Sequence, residues 1–383
     1  MSDAVVAWLP IEAALLVLAA GIGGLIWLVL SRGRDERFVG QVPGLEPVTG
    51  DDAAARELVP WAGLPPTAVD FAPQAGIRPA EWGVLLTEKV TVAHITATIV
   101  DLAVRGHLRL ERIEHPRRFR RGQVDWVIHR GTASAADELA RYERSLIAIL
   151  LRSTDSVRAS SLSEGFVGSL VPVRRELYAR MSEREWFVAR PDQARATWAR
   201  RGRWVLGLGL IAALVLLIVG RWWPVAVAVA AVGLAVALAA RWMPARTAKG
   251  YSSKVRAEGF AMYLRTAEVG QISAEERLGV YSRYLPFAIV LGAATHWTSV
   301  FGDSLAAGLA SGAGMDWLTV ADLGLSGLDL LPELGEGLVS GLSSGITDAV
   351  GGMAGLGDGG VSDGFDVVLD GLSNVLDGLD FLP

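Results

Sequence analysis

The chain has 383 residues, 51 % of them hydrophobic and only 20 % charged, and the apolar positions are clustered, which excludes a purely soluble protein. It contains no cysteine, so disulfide scaffolds, zinc-thiolate sites, iron–sulfur clusters and cysteine nucleophiles are excluded as well. The net charge of −5 hides a split, because all 36 Lys and Arg precede Gly302, while the last 82 residues hold 13 Asp and Glu and no base.

The first 31 residues hold the first apolar segment, Ile11 to Leu30, long enough to cross a bilayer as a helix. Glu12, beside Pro10, sits one residue inside it, where its carboxylate stays among the headgroups. Met1, Ser2 and Asp3 precede the segment and Arg32, Arg34 and Arg37 follow it, so its amino end is expected outside. A cleaved signal peptide fits less well, since the basic leader is missing and arginines follow the apolar run.

Residues 32–78 read as a linker, extended and mostly loop-like, with Pro43, Pro47, Pro60, Pro65, Pro66 and Pro73 and no sustained apolar period. Residues 79–190 read as an α+β domain in the order helix, helix, strand, wing, strand. Pro79 to Leu86 forms the first helix. Thr91 caps the second, which runs through Arg105 with Ile95, Ile99, Leu102 and Ala103 on one face and ends at Gly106. Leu108 and Leu110 alternate with Arg109 and Glu111, and Val124, Trp126 and Ile128 alternate beyond the His115–Gly122 turn. Two more helices follow, Ala136 to Leu151 and Ser163 to Glu185, the second with a Ser161/Glu164 capping box, and Trp186 to Ala189 returns as an edge strand.

Residues 204–241 form a helical hairpin of two spans, Trp204 to Gly220 and Pro224 to Ala240, separated by Arg221, Trp222 and Trp223. Arg195, Arg200, Arg201 and Arg203 precede it, and Arg241, Arg246, Lys249, Lys254 and Arg256 follow, so all three spans agree on an external amino terminus and a cytoplasmic carboxy terminus. Residues 250–301 read as a cytosolic helical region: Ser252 to Glu268, a Ser273/Glu276 capping box, and a buried or interfacial helix from Leu285 to Phe301 containing His296. Residues 302–383, with 19 glycines, are expected to be a disordered Gly/Asp-rich low-complexity tail with transient amphipathic turns. The fold class is therefore a mainly α membrane protein: three transmembrane helices, a cytosolic α+β winged-helix-like domain and a disordered tail.

Several stretches carry a family resemblance: Thr96-Ala97-Thr98-Ile99-Val100-Asp101-Leu102-Ala103 with Arg105-Gly106 and His107-Leu108, then Glu258-Gly259-Phe260, Tyr263-Leu264 and Ala267-Glu268, and finally Tyr284-Leu285-Pro286-Phe287-Ala288 with Gly292, Trp297 and Phe301. In these, over about residues 1–301, the chain resembles the carboxy-terminal half of the domain of unknown function 2207 family of predicted bacterial membrane proteins. Members usually begin with a secreted β-rich domain before the first span, and this sequence starts at the span. The resemblance implies membrane location and architecture and no reaction. The near absence of lysine, with only Lys89, Lys249 and Lys254, points to a high-G+C prokaryotic genome.

Chemistry-bearing motifs are sparse. His94, His107, His115, His129 and His296 show no zinc-ligand spacing, although His107, His115 and His129 could meet on the hairpin. There is no nucleophile elbow and no phosphate-binding loop, and the Gly355–Gly360 run is a single copy without period. No catalytic residue, cofactor or metal is assigned, and the chain is read as a non-enzyme. The strongest constellation is Arg117, Arg118, Arg120 and Arg121 around Phe119 on the expected wing. Its expected partners are the anionic lipid headgroups of the bilayer, a protein, or the chain's own acidic tail by charge complementarity.

A membrane-tethered DNA-binding regulator is the alternative, and an envelope enzyme or transporter component a further one. Against nucleic acid, the second helix is expected to expose only Thr91, His94, Thr98, Asp101 and Arg105, and residues 31–203 hold 27 basic against 22 acidic side chains. The expected role is a non-enzymatic interaction or scaffold module, whose oligomeric state the sequence leaves open.

Overall fold

The computed structural model describes residues 3–40, 42, 44–45, 55–60, 68–115, 123–133, 139–152, 154–161, 168–220, 222–267, 274–302 and 316–320. In chain order its elements are α1 (Asp3–Arg32), β1 (Glu36–Phe38), β2 (Arg56–Leu58), α2 (Pro79–Thr87), α3 (Val92–Val104), β3 (Leu108–His115), β4 (Gln123–Arg130) and α4 (Arg141–Leu150). They continue with β5 (Ser156–Arg158), α5 (Val171–Glu183), α6 (Pro191–Val219), α7 (Trp223–Ala239), α8 (Ala248–Thr266), α9 (Ala274–Val290), α10 (Ala294–Val300) and β6 (Leu318–Val320).

Three helices are long and apolar enough to cross a membrane, over Trp8–Arg32, Pro191–Ile218 and Trp223–Trp242. Their apolar side chains point outward, Ile218 being 80 % exposed, as expected of surfaces meant for lipid. α7 packs against both α1 and α6. Small residues allow this: a Cβ added to Gly209 would lie 2.6 Å from the Ala230 backbone nitrogen, so only glycine lets the two backbones approach. The second span is longer than its apolar run, because α6 begins at Pro191. At 1.5 Å per residue its 29 residues extend about 44 Å, well beyond the roughly 30 Å hydrocarbon thickness. The additional turns carry Arg195, whose guanidinium donates to the Glu88 carbonyl at 2.8 Å and to its carboxylate at 2.7 Å.

The remaining helices surround one hydrophobic core. Side chains of α2, α3, α4 and α5 share it with those of α8, α9 and α10, so residues 79–190 and 250–301, separate in the sequence reading, fold together. Its centre is aromatic: the Phe260 ring lies 5.8 Å from Trp82, 5.9 Å from Phe287 and 5.1 Å from Tyr284, and Trp297 lies 4.7 Å from Phe301. The expected Leu285–Phe301 helix is broken. α9 ends at Val290, Gly292 takes φ +65°, and the Ala293 amide bonds back to the Ala288 carbonyl at 2.8 Å before α10 starts. Only a residue tolerant of the left-handed region makes that C-terminal cap at no cost. Leu285, Phe287, Ala288 and Ile289 are buried in the body's own core.

The segment read as a loop-like linker is more ordered than expected. β1 and β2 pair antiparallel, Arg37 lying opposite Glu57, and the chain then packs along α8 through Asp70 to Arg256 (3.0 Å) and Phe71 to Tyr263 (5.5 Å). Prolines bar ladder donors but do not prevent such side-chain docking. The second sheet has the order β5-β4-β3-β6, with β3 antiparallel to β4 and parallel to β6. β6 belongs to the stretch read as a disordered tail, and Trp317 just before it is buried, donating from its indole to Ser282 at 3.1 Å. Apolar burial and an edge-strand pairing offset the loss of chain entropy here. The rest of that tail, 303–315 and 321–383, lies outside the described residues. The expected return strand at Trp186–Ala189 is a single bridge, Phe187 to Arg246.

Candidate functional site

Local signals explain how the sheet is presented. The Thr91 amide donates to Nδ1 of His94 at 2.9 Å, so His94 serves the start of α3 as Glu or Gln does in a capping box. Its ring is buried against Gly83, and burial lowers its pKa to about 4, against a hydrogen bond to the Gly83 carbonyl. α3 ends at Val104 with Arg105 as its cap residue, and Gly106, at φ +80°, turns the chain into β3.

Alternation then divides β3 and β4. Leu108, Leu110, Trp126 and Ile128 point inward and are at most 1 % exposed. The other face carries Arg109, Glu111 and Ile113 on β3, Val127 and His129 on β4, and Thr319 on β6, with Ser156 and Arg158 of β5 in register beside them. These side chains are half-exposed or exposed. His129 Nε2 lies 2.7 Å from Glu111 Oε2. Clefts of about 690 Å³ and 600 Å³ flank the pair and share both residues, the larger also lined by Arg105, Arg130 and Trp317. Arg109 donates to the Asp316 carbonyl at 3.1 Å, which fixes the β6 side of the larger cleft. The face therefore mixes apolar Ile113 and Val127 with a carboxylate–imidazole pair and arginines, a combination suited to polypeptide contact.

A second polar cluster lies beneath, inside the body. Glu81 is fully buried, with Arg180 at 3.0 Å and Arg184 at 2.8 Å. Glu143 is fully buried between Arg105 at 2.6 Å and Arg78 at 3.6 Å, and burial raises its pKa despite the Arg105 charge. The Tyr142 hydroxyl beside it has no hydrogen-bond partner among the described residues, and burial pushes its pKa well up. Glu81 and Glu143 each occupy the third position of a helix and accept from the cap residue's amide, Arg78 and Ala140 respectively. Sequence reasoning missed both because the cap residues are not Ser, Thr, Asp or Asn. A carboxylate three residues into a helix was the available signal.

The residues singled out from the sequence fare unevenly. Arg117, Arg118, Arg120 and Arg121 fall in the connection between β3 and β4, outside the described residues, as do Glu164 and Ser273 of the two expected capping boxes. Of the hairpin histidines, His129 has a carboxylate partner, and among the described residues no group of three or more His, Asp or Glu is placed to hold a metal. Of the α3 face expected to be exposed, Thr91 at the cap is exposed and Arg105 is half-buried, but the middle is not open. His94, Thr98 and Asp101 are buried, because α2 and α9 pack on this helix and Arg105 reaches across to Glu143 on α4.

No curated protein and no solved structure matches the chain. The family model described as the C-terminal domain of a predicted membrane protein, DUF2207, matches residues 68–301, which takes in every element from α2 to α10. Three apolar helices joined to this body, and a match over more than half of its length, make the protein a member of the DUF2207 family of predicted membrane proteins.

Proposed function

We propose that the protein is a non-enzymatic interaction module, held at the membrane by its three spans and presenting a winged-helix-like part, residues 79–190, to a protein partner in the cytosol. The observation that carries this reading is the outer sheet face around Glu111 and His129, half-exposed and flanked by two clefts, on strands whose other face is locked into the core. The order α2, α3, β3, β4 is the support for the winged-helix likeness. The amino terminus outside and the carboxy terminus inside is supported by the arginines after α1, before the apolar run of α6 and after α7. The four arginines between β3 and β4 add positive charge to the same module.

Binding of duplex DNA is disfavoured, since α3, the helix that a winged-helix reader lays in the major groove, is enclosed by α2 and α9. The test uses the absence of cysteine: Arg109→Cys gives the chain a single thiol on the face. In intact cells a membrane-impermeant maleimide is expected to leave it unlabelled until the cells are opened. A photocrosslinker at the same position is expected to yield one dominant protein adduct, lost when Glu111→Arg is added. Labelling from outside, or adducts unchanged by the charge reversal, would overturn the proposal.

A further inference from the structure

A third cleft, of about 300 Å³, lies where α1 and α7 leave their apolar runs and meet the body. Its charged lining is Arg34, Asp35, Glu88, Arg241, Arg246 and Lys254, four cations to two carboxylates. Arg246 satisfies both carboxylates, at 3.1 Å from Asp35 and 2.9 Å from Glu88, and Lys254 adds a contact to Asp35 at 3.7 Å. The Arg34 guanidinium donates to a neutral acceptor, the Val59 carbonyl. Lys254 also lies 3.9 Å from Glu258, and the lining as a whole holds two more cations than carboxylates.

Its position selects the counter-charge. Val29, in the last turns of the first span, and Trp242, at the end of the third, form the apolar rim. Trp242 is half-exposed, with the Arg241 guanidinium 4.1 Å from its ring centroid. An indole at the end of a span marks the headgroup level of a bilayer. Gly33 fixes the geometry there, since any side chain would strike the Trp242 carbonyl and part the two span ends. An anion reaching this cleft from the lipid side arrives with its acyl chains beside Val29 and Trp242.

We propose that this cleft binds the phosphate headgroup of an anionic phospholipid, with Arg34, Arg241 and Lys254 as its cationic partners. The site is distinct from the arginines between β3 and β4, and it holds whichever side of the membrane the body occupies. Each arginine near an anionic lipid surface contributes about fivefold in affinity, so removing two costs about 25-fold.

The experiment takes the full chain purified in mild detergent and measures lipid retention by native mass spectrometry with phosphatidylglycerol, phosphatidylcholine or inorganic phosphate. Phosphatidylglycerol is expected to be retained in preference to phosphatidylcholine and to resist inorganic phosphate at equal concentration. That preference is expected to fall about 25-fold in Arg34→Gln/Arg241→Gln and to stay unchanged in Arg200→Gln/Arg201→Gln, whose arginines lie outside the cleft. Equal retention of the two lipids, displacement by inorganic phosphate, or equal losses in both double variants would overturn the assignment. Should the Arg34/Arg241 variant not fold, Lys254→Gln and the wild-type lipid comparison decide.

Discussion

Arg246 and Asp35, 211 positions apart in the chain, join the end of the first span to the entry of α8. The Arg246 amide donates to Asp35 Oδ1 at 2.9 Å and its guanidinium to Oδ2 at 3.1 Å. The same guanidinium donates to the Leu85 and Leu86 carbonyls at the end of α2, at 2.8 and 2.9 Å. With its side chain 7 % exposed, Arg246 connects two spans, α2 and α8 through one buried charge.

Replacing it by Met leaves Asp35 and Glu88 without their shared cation and two carbonyls without donors. Removing one partner of a buried pair costs about 3–5 kcal/mol. Arg246→Met is therefore expected to lower the unfolding temperature of the detergent-purified protein markedly. Asp35→Asn, which keeps an acceptor for the Arg246 amide, is expected to cost less, and the two effects should be strongly non-additive in a double-mutant cycle.

Acid is expected to destabilise the body through His94. Its pKa is about 4 in the folded chain against about 6.5 unfolded, so the folded state favours the neutral ring. The contribution is fully present above pH 6.5 and is lost as the pH falls toward 4, amounting to about 3 kcal/mol. His94→Gln keeps an acceptor for the Thr91 amide and removes the titration. Thermal melts between pH 7.5 and 4 should show a shallower decline for this variant, and parallel curves would refute the assignment.

Much of the fold was legible where one signal dominated locally. The three spans, the Thr91 cap of α3 and the alternation of Leu108 and Leu110 against Arg109 and Glu111 depend on residues a few positions apart. What could not be read depends on distant partners. Nothing near Trp317 announces that its indole will reach Ser282, and the exposed face assigned to α3 fails because α9 lies 170 positions downstream. The Gly292 break was present in sequence as a glycine within an apolar run, and helical periodicity across it outweighed that signal. Of the candidate site, the β3–β4 hairpin and its polar alternation were visible. The pairing of Glu111 with His129 was not, since it crosses strands on a diagonal.

Two neighbouring glycines on α6 are expected to differ in role. A Cβ at Gly209 meets the Ala230 backbone, whereas one at Gly207 meets nothing within 4 Å. Gly209→Val should force α6 from α7 and cost about 1–3 kcal/mol, as overpacking does. Gly207→Val should be neutral within error. Graded SDS denaturation of the two variants measures the difference, and equal midpoints would contradict the packing of the helical hairpin.

The attachment of β6 depends on Trp317 more than on its three-residue ladder. The Leu110 amide donates to the Trp317 carbonyl at 2.8 Å, and the buried indole holds that carbonyl in place through Ser282. Burying a tryptophan is worth about 3–5 kcal/mol over alanine, more than a short edge pairing returns at about 1 kcal/mol per hydrogen bond. Trp317→Ala is therefore expected to release residues 316–320 while β3 stays paired to β4. Hydrogen–deuterium exchange should show the Leu110 amide exchanging far faster in the variant, with the amides that β3 and β4 exchange between themselves unaffected. If Leu110 stayed protected, the backbone ladder alone would hold the strand, and the larger cleft beside Glu111 and His129 would keep its Thr319 wall without the indole.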